Sequence, residues 1–126
     1  MPGEPILVVD DNATNSKLLQ VALGAEGYDV RVAADGRELV SVLKDFHPRL
    51  VLMDIQLPGI DGLQALQRLR SDPATAGIPV IAVTAFAMKA DRERFLAAGF
   101  DHYVEKPLDI REFPRQVADT LTRTAS

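Results

Sequence analysis

Three carboxylates, a hydroxyl and an ammonium stand at the ends of apolar runs in this chain, and together they are the parts needed to move a phosphoryl group onto an aspartate. Ile6-Leu7-Val8-Val9 runs into Asp10 and Asp11, Leu50-Val51-Leu52-Met53 into Asp54, and Val80-Ile81-Ala82-Val83 into Thr84. His102-Tyr103-Val104 leads through Glu105 to Lys106. Two carboxylates about 4 Å apart repel by roughly 4 kcal/mol at an effective dielectric of 20. Three brought together therefore need protonation or a cation. Oxygen-only ligands suit a hard cation, and few protein ligands with room for water suit Mg²⁺. A carboxylate is a covalent nucleophile in phosphoryl chemistry, and Mg²⁺ and a lysine neutralise charge on the transferred group. Asp54 is the best nucleophile candidate, because it ends an apolar run and precedes a Pro58-Gly59 loop that would leave it open to a donor. Thr84 can donate a hydrogen bond to a phosphoryl oxygen. Lys106 can pair with Asp54 or hold that oxygen.

For these residues to meet, the runs must share one edge of a sheet. Continuous apolar runs of this length are the mark of buried parallel strands, and ligands of open parallel sheets bind beyond the carboxyl ends of the strands. Strand patterns are predicted at residues 6–9, 29–33, 50–53, 80–83 and 102–105. Helices follow at about 14–25, 37–44, after the 58–62 loop, 89–98 and in the last segment. Their apolar stripes include Leu18, Leu19, Ala22 and Leu23 in the first, Leu63, Leu66 and Leu69 in the third, and Ile110, Phe113, Val117 and Leu121 in the fifth. Gly27 and Gly99 mark helix stops, Asp35-Gly36 a turn, and Asp109 with Glu112 a capping box. Pro114 falls early in the fifth helix, which must begin later than that box or bend. Five βα units imply an α/β, doubly wound (βα)5 flavodoxin-like sandwich with a five-stranded parallel sheet. The strand order 2-1-3-4-5 is taken from known doubly wound proteins, and the polar second strand suits an edge.

The 126 residues fit one domain, with a core at about 5–122. Apolar residues make up 47% of the chain, enough for a core without staples, and the absence of cysteine excludes disulfides, thiolate metal sites and cysteine catalysis. A net charge of −4 argues against direct nucleic-acid binding. No run approaches the roughly 20 apolar residues that span a bilayer, and residues 1–5 lack a signal-peptide pattern, so a cytoplasmic protein is expected. His47 and His102 have no ligand partner at helical or strand spacing and are expected at the surface.

The chain resembles a two-component response-regulator receiver domain over about residues 5–122. The resemblance is carried by Asp10-Asp11, by Met53-Asp54-Ile55-Gln56-Leu57-Pro58-Gly59-Ile60-Asp61-Gly62, by Thr84-Ala85 and by Lys106-Pro107. It implies that Asp54 accepts a phosphoryl group from a partner's phosphohistidine. It implies Mg²⁺ held by Asp11, Asp54 and the backbone carbonyl of Gln56, with Asp10 acting through water. It makes Thr84 and Tyr103 the switch, and a histidine kinase or histidine phosphotransfer protein the donor. By the same analogy the donor docks on the first helix at Thr14, Asn15, Leu18 and Leu19. Gln56 and Phe86 are placed to screen the line of water attack and lengthen the life of the phosphoryl group.

No output domain is expected, so phosphorylation must change a surface read by a downstream protein. The fourth helix, fifth strand and fifth helix form the natural face, with Phe86, Ala87 and Met88 beside it. A monomer is expected, since Pro114 and a lack of complementary charges disfavour a dimer there. Two rivals remain: a phosphorylation-independent adaptor of the same fold, and a phosphatase of the haloacid dehalogenase type. That phosphatase uses two aspartates one residue apart, whereas Asp10 and Asp11 are adjacent. The expectation is a signalling switch, not a turnover enzyme.

Overall fold

Successive residues of an extended strand point to opposite faces of its sheet, so an uninterrupted apolar run must be covered on both sides. The computed structural model meets this demand with two separate cores. It describes residues 4–54, 62–84, 89–105 and 113–124, without the side chains of residues 62, 84, 89–92, 105, 113, 116 and 121–124. The elements alternate as β1 (Pro5–Val9), α1 (Ala13–Ala25), β2 (Asp29–Ala33), α2 (Gly36–Asp45), β3 (Leu50–Asp54), α3 (Gly62–Ser71), β4 (Val80–Thr84), α4 (Lys89–Ala98), β5 (His102–Glu105) and α5 (Phe113–Thr124). The strands pair in parallel in the order β2-β1-β3-β4-β5, which is the expected flavodoxin-like arrangement.

Alternate residues of the same strands divide between the cores. Ile6, Val8, Leu50, Leu52, Ile81, Val83 and Val104 pack with Leu19 and Leu23 of α1 and Val117 of α5. Leu7, Val9, Val51, Met53, Ala82 and Tyr103 pack with Leu39 of α2, Leu66 and Leu69 of α3 and Phe95 of α4. The sheet is thus a middle layer, with α1 and α5 on one side and α2, α3 and α4 on the other. β3 is buried along its whole length, whereas β2, at the edge, alternates between exposed and partly buried residues until the buried Ala33.

Local chemistry sets the helix ends. Asn12 caps α1, its side chain accepting from the Asn15 N–H at 3.0 Å. Asp35 caps α2 in the same way, accepting from Glu38 at 2.9 Å. Gly27 ends α1 with φ 95°, where the Tyr28 N–H reaches back to the Leu23 carbonyl and the Gly27 N–H to that of Gly24. Within the described residues, helix α5 runs from Phe113 to Thr124 and contains Pro114. The Asp109–Glu112 box and Ile110 lie outside the described residues. Observed elements run one residue past several predicted ends, because ladder bonds continue onto Asp54 and Thr84 after the apolar run has stopped.

Leu52 is buried on the central strand. Leu52→Ala should lower stability by about 3–5 kcal/mol, read as a lower urea midpoint at an unchanged slope.

Candidate functional site

The sheet brings its acids together. Val9 is in register with Met53, so Asp10 and Asp54, the next residue on each strand, arrive side by side. Ligand oxygens of Asp10, Asp11 and Asp54 all lie within 4.8 Å of one another. Asp10 and Asp54 are 4% and 8% exposed, while Asp11 faces solvent. Two buried carboxylates and one open to water form an oxygen donor set that fits a hard divalent ion retaining waters.

The turn after β1 is built around Asp10. Its backbone N–H donates to the Ala33 carbonyl at 3.0 Å, carrying the ladder one residue past β1. Its Oδ1 accepts the Asn12 N–H at 2.9 Å. The buried Ser16 hydroxyl, one turn into α1, donates to the Asp10 carbonyl at 3.3 Å. The acids therefore sit at the N-terminus of α1, whose dipole favours negative charge there; the helix has no acidic residue of its own in that turn. Asn12 serves as the cap and Asp11 does not, which leaves the Asp11 carboxylate for other work.

Backbone register brings Thr84 to the same edge. Asp54 pairs with Val83, and Thr84, the next residue on β4, pairs with Glu105. The side chain of Thr84 lies outside the described residues, as do Gln56, Phe86, Met88 and Lys106. Tyr103 pairs with Ala82, two residues before Thr84, and is 8% exposed. Its ring stacks on Phe95 of α4 with centroids 6.0 Å apart and an interplanar angle of 16°. Phe95 in turn meets Phe100 edge-on at 6.2 Å.

On α1, Thr14 and Leu18 are exposed and Asn15 is partly buried. Leu19 is not on this surface. At 4% exposure it belongs to the core, because a helix that buries Leu23 also buries the position four residues earlier. The sequence reading did not single out Val21, which is 63% exposed and lines a shallow hollow of about 460 Å³ with Ala13, Thr14, Lys17 and Leu18. Exposed apolar residues beside a polar site are a contact signal that only the structure reveals, since Val21 reads as part of an ordinary helix. His47 is exposed and His102 partly buried. A larger hollow of about 630 Å³ lies between α2 and α3 at the opposite edge of the sheet, floored by Leu39, Phe46 and Leu69. Lys44, Arg68 and Asp72 are among its lining residues, beside the C-terminal ends of both helices.

Residues 6–118 match the family model described as the response regulator receiver domain. The polar-differentiation response regulator DivK of Brucella ovis is 42% identical over 116 residues, covering 92% of this chain and 94% of that protein. A CheY-like receiver domain protein from Methanospirillum hungatei superposes with a TM-score of 0.87 at 28% identity, over 98% of this chain and 97% of the other. The receiver domain of sensor histidine kinase PA1611 from Pseudomonas aeruginosa, solved with a magnesium ion coordinated in its active-site cleft, gives 0.82 at 34% identity, over 98% and 99%.

Asn12→Ala removes the α1 cap without touching a carboxylate. It should cost about 1 kcal/mol of stability, measured by thermal or urea unfolding without divalent ions.

Proposed function

This chain belongs to the response regulator receiver family of two-component signalling, and from that premise we propose that Asp54 accepts a phosphoryl group from a partner's phosphohistidine. The observation that carries this reading is the buried Asp54 residue at the end of β3, its carboxylate clustered with those of Asp10 and Asp11 within 4.8 Å. A carboxylate oxygen attacks phosphorus and forms the new O–P bond as the P–N bond to the imidazole breaks. The bonding pair returns to the ring nitrogen. Water later hydrolyses the acyl phosphate and regenerates the carboxylate. The family is one of signalling proteins, not turnover enzymes.

Receiver domains of this family bind Mg²⁺ in their acidic pocket. Here Asp11, Asp54 and the Gln56 carbonyl would hold the ion, with Asp10 acting through water. Once bound, it would offset the charge of the cluster and of the incoming group. Asp10 also holds the turn through Asn12, which positions Asp11 beside it. Lys106 follows Glu105 at the same sheet edge and supplies a positive charge to the phosphoryl oxygens. Thr84 donates a hydrogen bond to one of them. Tyr103 and Thr84 together pass the change to the face of α4, β5 and α5. Phe86 and Met88 contribute to that face, and Gln56 with Phe86 screens the acyl phosphate from water.

The donor, a histidine kinase or a histidine phosphotransfer protein, docks over α1. Thr14, Asn15 and Leu18 form that contact, and Val21 takes the place of the buried Leu19. A downstream protein reads the changed surface. The 42% identity to DivK supports a role in polar differentiation; we read the chain as a cytoplasmic monomer whose net charge of −4 argues against contact with nucleic acid.

Acetyl phosphate with Mg²⁺ should add one phosphoryl group to the wild type by intact mass. Asp54→Ala and chelation of Mg²⁺ should each abolish the adduct. Steady phosphate release without an adduct would instead indicate a phosphatase, and a folded protein with neither would indicate the adaptor. Separately, Leu18→Ala combined with Val21→Ala should slow transfer from a phosphorylated partner roughly tenfold, the effect of losing 1–2 kcal/mol of apolar contact. Labelling by acetyl phosphate should stay at the wild-type rate; a matching loss there would place the damage in the pocket.

A further inference from the structure

Far from the acids, at the other end of β4, one guanidinium gathers four acceptors. Arg70, in the last turn of α3, donates through Nη1 to the carbonyls of Ala76 at 3.1 Å and Ile78 at 2.5 Å. Through Nη2 it donates to the Gly99 carbonyl at 3.1 Å and to Asp101 Oδ2 at 3.0 Å. The same Oδ2 accepts the Val80 N–H at 2.8 Å, and the Asp101 N–H donates to the Val80 carbonyl at 2.8 Å. Gly99, at φ 119°, is the cap of α4: its N–H meets the Leu96 carbonyl and the Phe100 N–H that of Phe95. Arg70 thus ties together the loop before β4, the first residue of β4 and the cap after α4.

From this geometry we infer that Arg70 is a positioning residue, the pivot at the base of the β4–α4 unit. The inference rests on the acceptor reading of Asp54. The two ends of the unit meet at the Arg70–Asp101 clasp. Thr84 and the start of α4 lie at the opposite end, about 15 Å away along a ten-residue helix. A displacement that begins at the Thr84 end cannot slide α4 along its axis while its cap is bonded to α3 and to β4. It can only swing the helix about the clasped end, so the motion is greatest next to the phosphoryl site and vanishes at Gly99. A planar five-donor fork can hold four acceptors in two loops at once, and an ammonium cannot.

The test is amide hydrogen exchange on wild type, Arg70→Met and Arg70→Lys, with and without Mg²⁺ and beryllofluoride as the phosphoryl mimic. In the wild type the mimic should alter exchange at residues 85–93 and leave residues 96–101 unchanged. In Arg70→Met the mimic-induced difference should spread to 96–101, by about threefold or more in rate, with Arg70→Lys in between. If Arg70→Met does not fold, Asp101→Asn, which keeps the shape and weakens the ion pair, should show the same spread at smaller size. Two outcomes overturn the pivot: a wild-type change at 96–101 as large as at 85–93, or faster exchange in the variants that is equal in both states and leaves the difference map unaltered. The latter is what a merely stabilising arginine would give. No effect of the mimic anywhere in the wild type would overturn the acceptor reading, and the pivot with it.

Discussion

The whole arrangement answers to the repulsion among three carboxylates held within 4.8 Å of one another. Left to itself a chain would separate them. Here they are fixed by what lies behind them: β1 and β3 are paired in register and buried on both faces, so the acids cannot part without breaking the centre of the sheet. The N-terminus of α1 and the Asn12 N–H offset part of the load. On the proposed reading, the remainder is what a bound cation would offset. A site that is electrostatically uncomfortable when empty is a reasonable exchange of stability for function, because stability elsewhere is supplied by cores that contain no charge.

The parallel topology also separates what must stay from what can change. The acids end the central strand β3 and follow its neighbour β1. Thr84 and Tyr103 are carried by β4 and β5, toward one edge. The aromatic ring of Tyr103 lies on the α2–α4 side of the sheet, stacked on Phe95, so a change at Tyr103 is felt first by α4. The same two-sided burial that fixes β3 leaves the edge with one neighbouring strand and fewer contacts to break.

Much of this was legible in the residues. Unbroken apolar runs ending in polar groups identify buried parallel strands, and the polar ends of those strands identify the site. Period-two sorting into two cores needs no further information than that. What escaped had a physical reason in each case. Leu18 and Leu19 are equivalent as letters, and only the orientation of α1 puts one in the core and the other in solvent. The Arg70 network is built on backbone carbonyls of Ala76, Ile78 and Gly99, which every residue possesses, so no spacing of side chains announces it. Ser16 reads as an ordinary helix residue, yet it holds the carbonyl of Asp10. The ends of β3 and β4 lie one residue beyond the expected ones, because hydrophobicity stops before the ladder does.

The division between input and output follows from how the two helices beside the acids are anchored. Helix α1 is fixed at both ends, by Asn12 and Asp10 at the start and by the Gly27 cap at the finish, and its inner face is packed through Leu19 and Leu23. On the proposed reading, a surface held this firmly would change little on phosphorylation. A ligand shifts an equilibrium only by the difference in its affinity for the two states, so a protein bound through Leu18 and Val21 alone gains no knowledge of the state of Asp54. That suits a phosphodonor, which must dock before the reaction and leave after it. It does not suit a target, which has to distinguish the product. On the proposed reading, the target would contact an element whose position depends on the site, and the α4–β5–α5 face, whose β5 strand pairs with β4 beside Asp54 and whose Tyr103 stacks on Phe95 of α4, is the candidate.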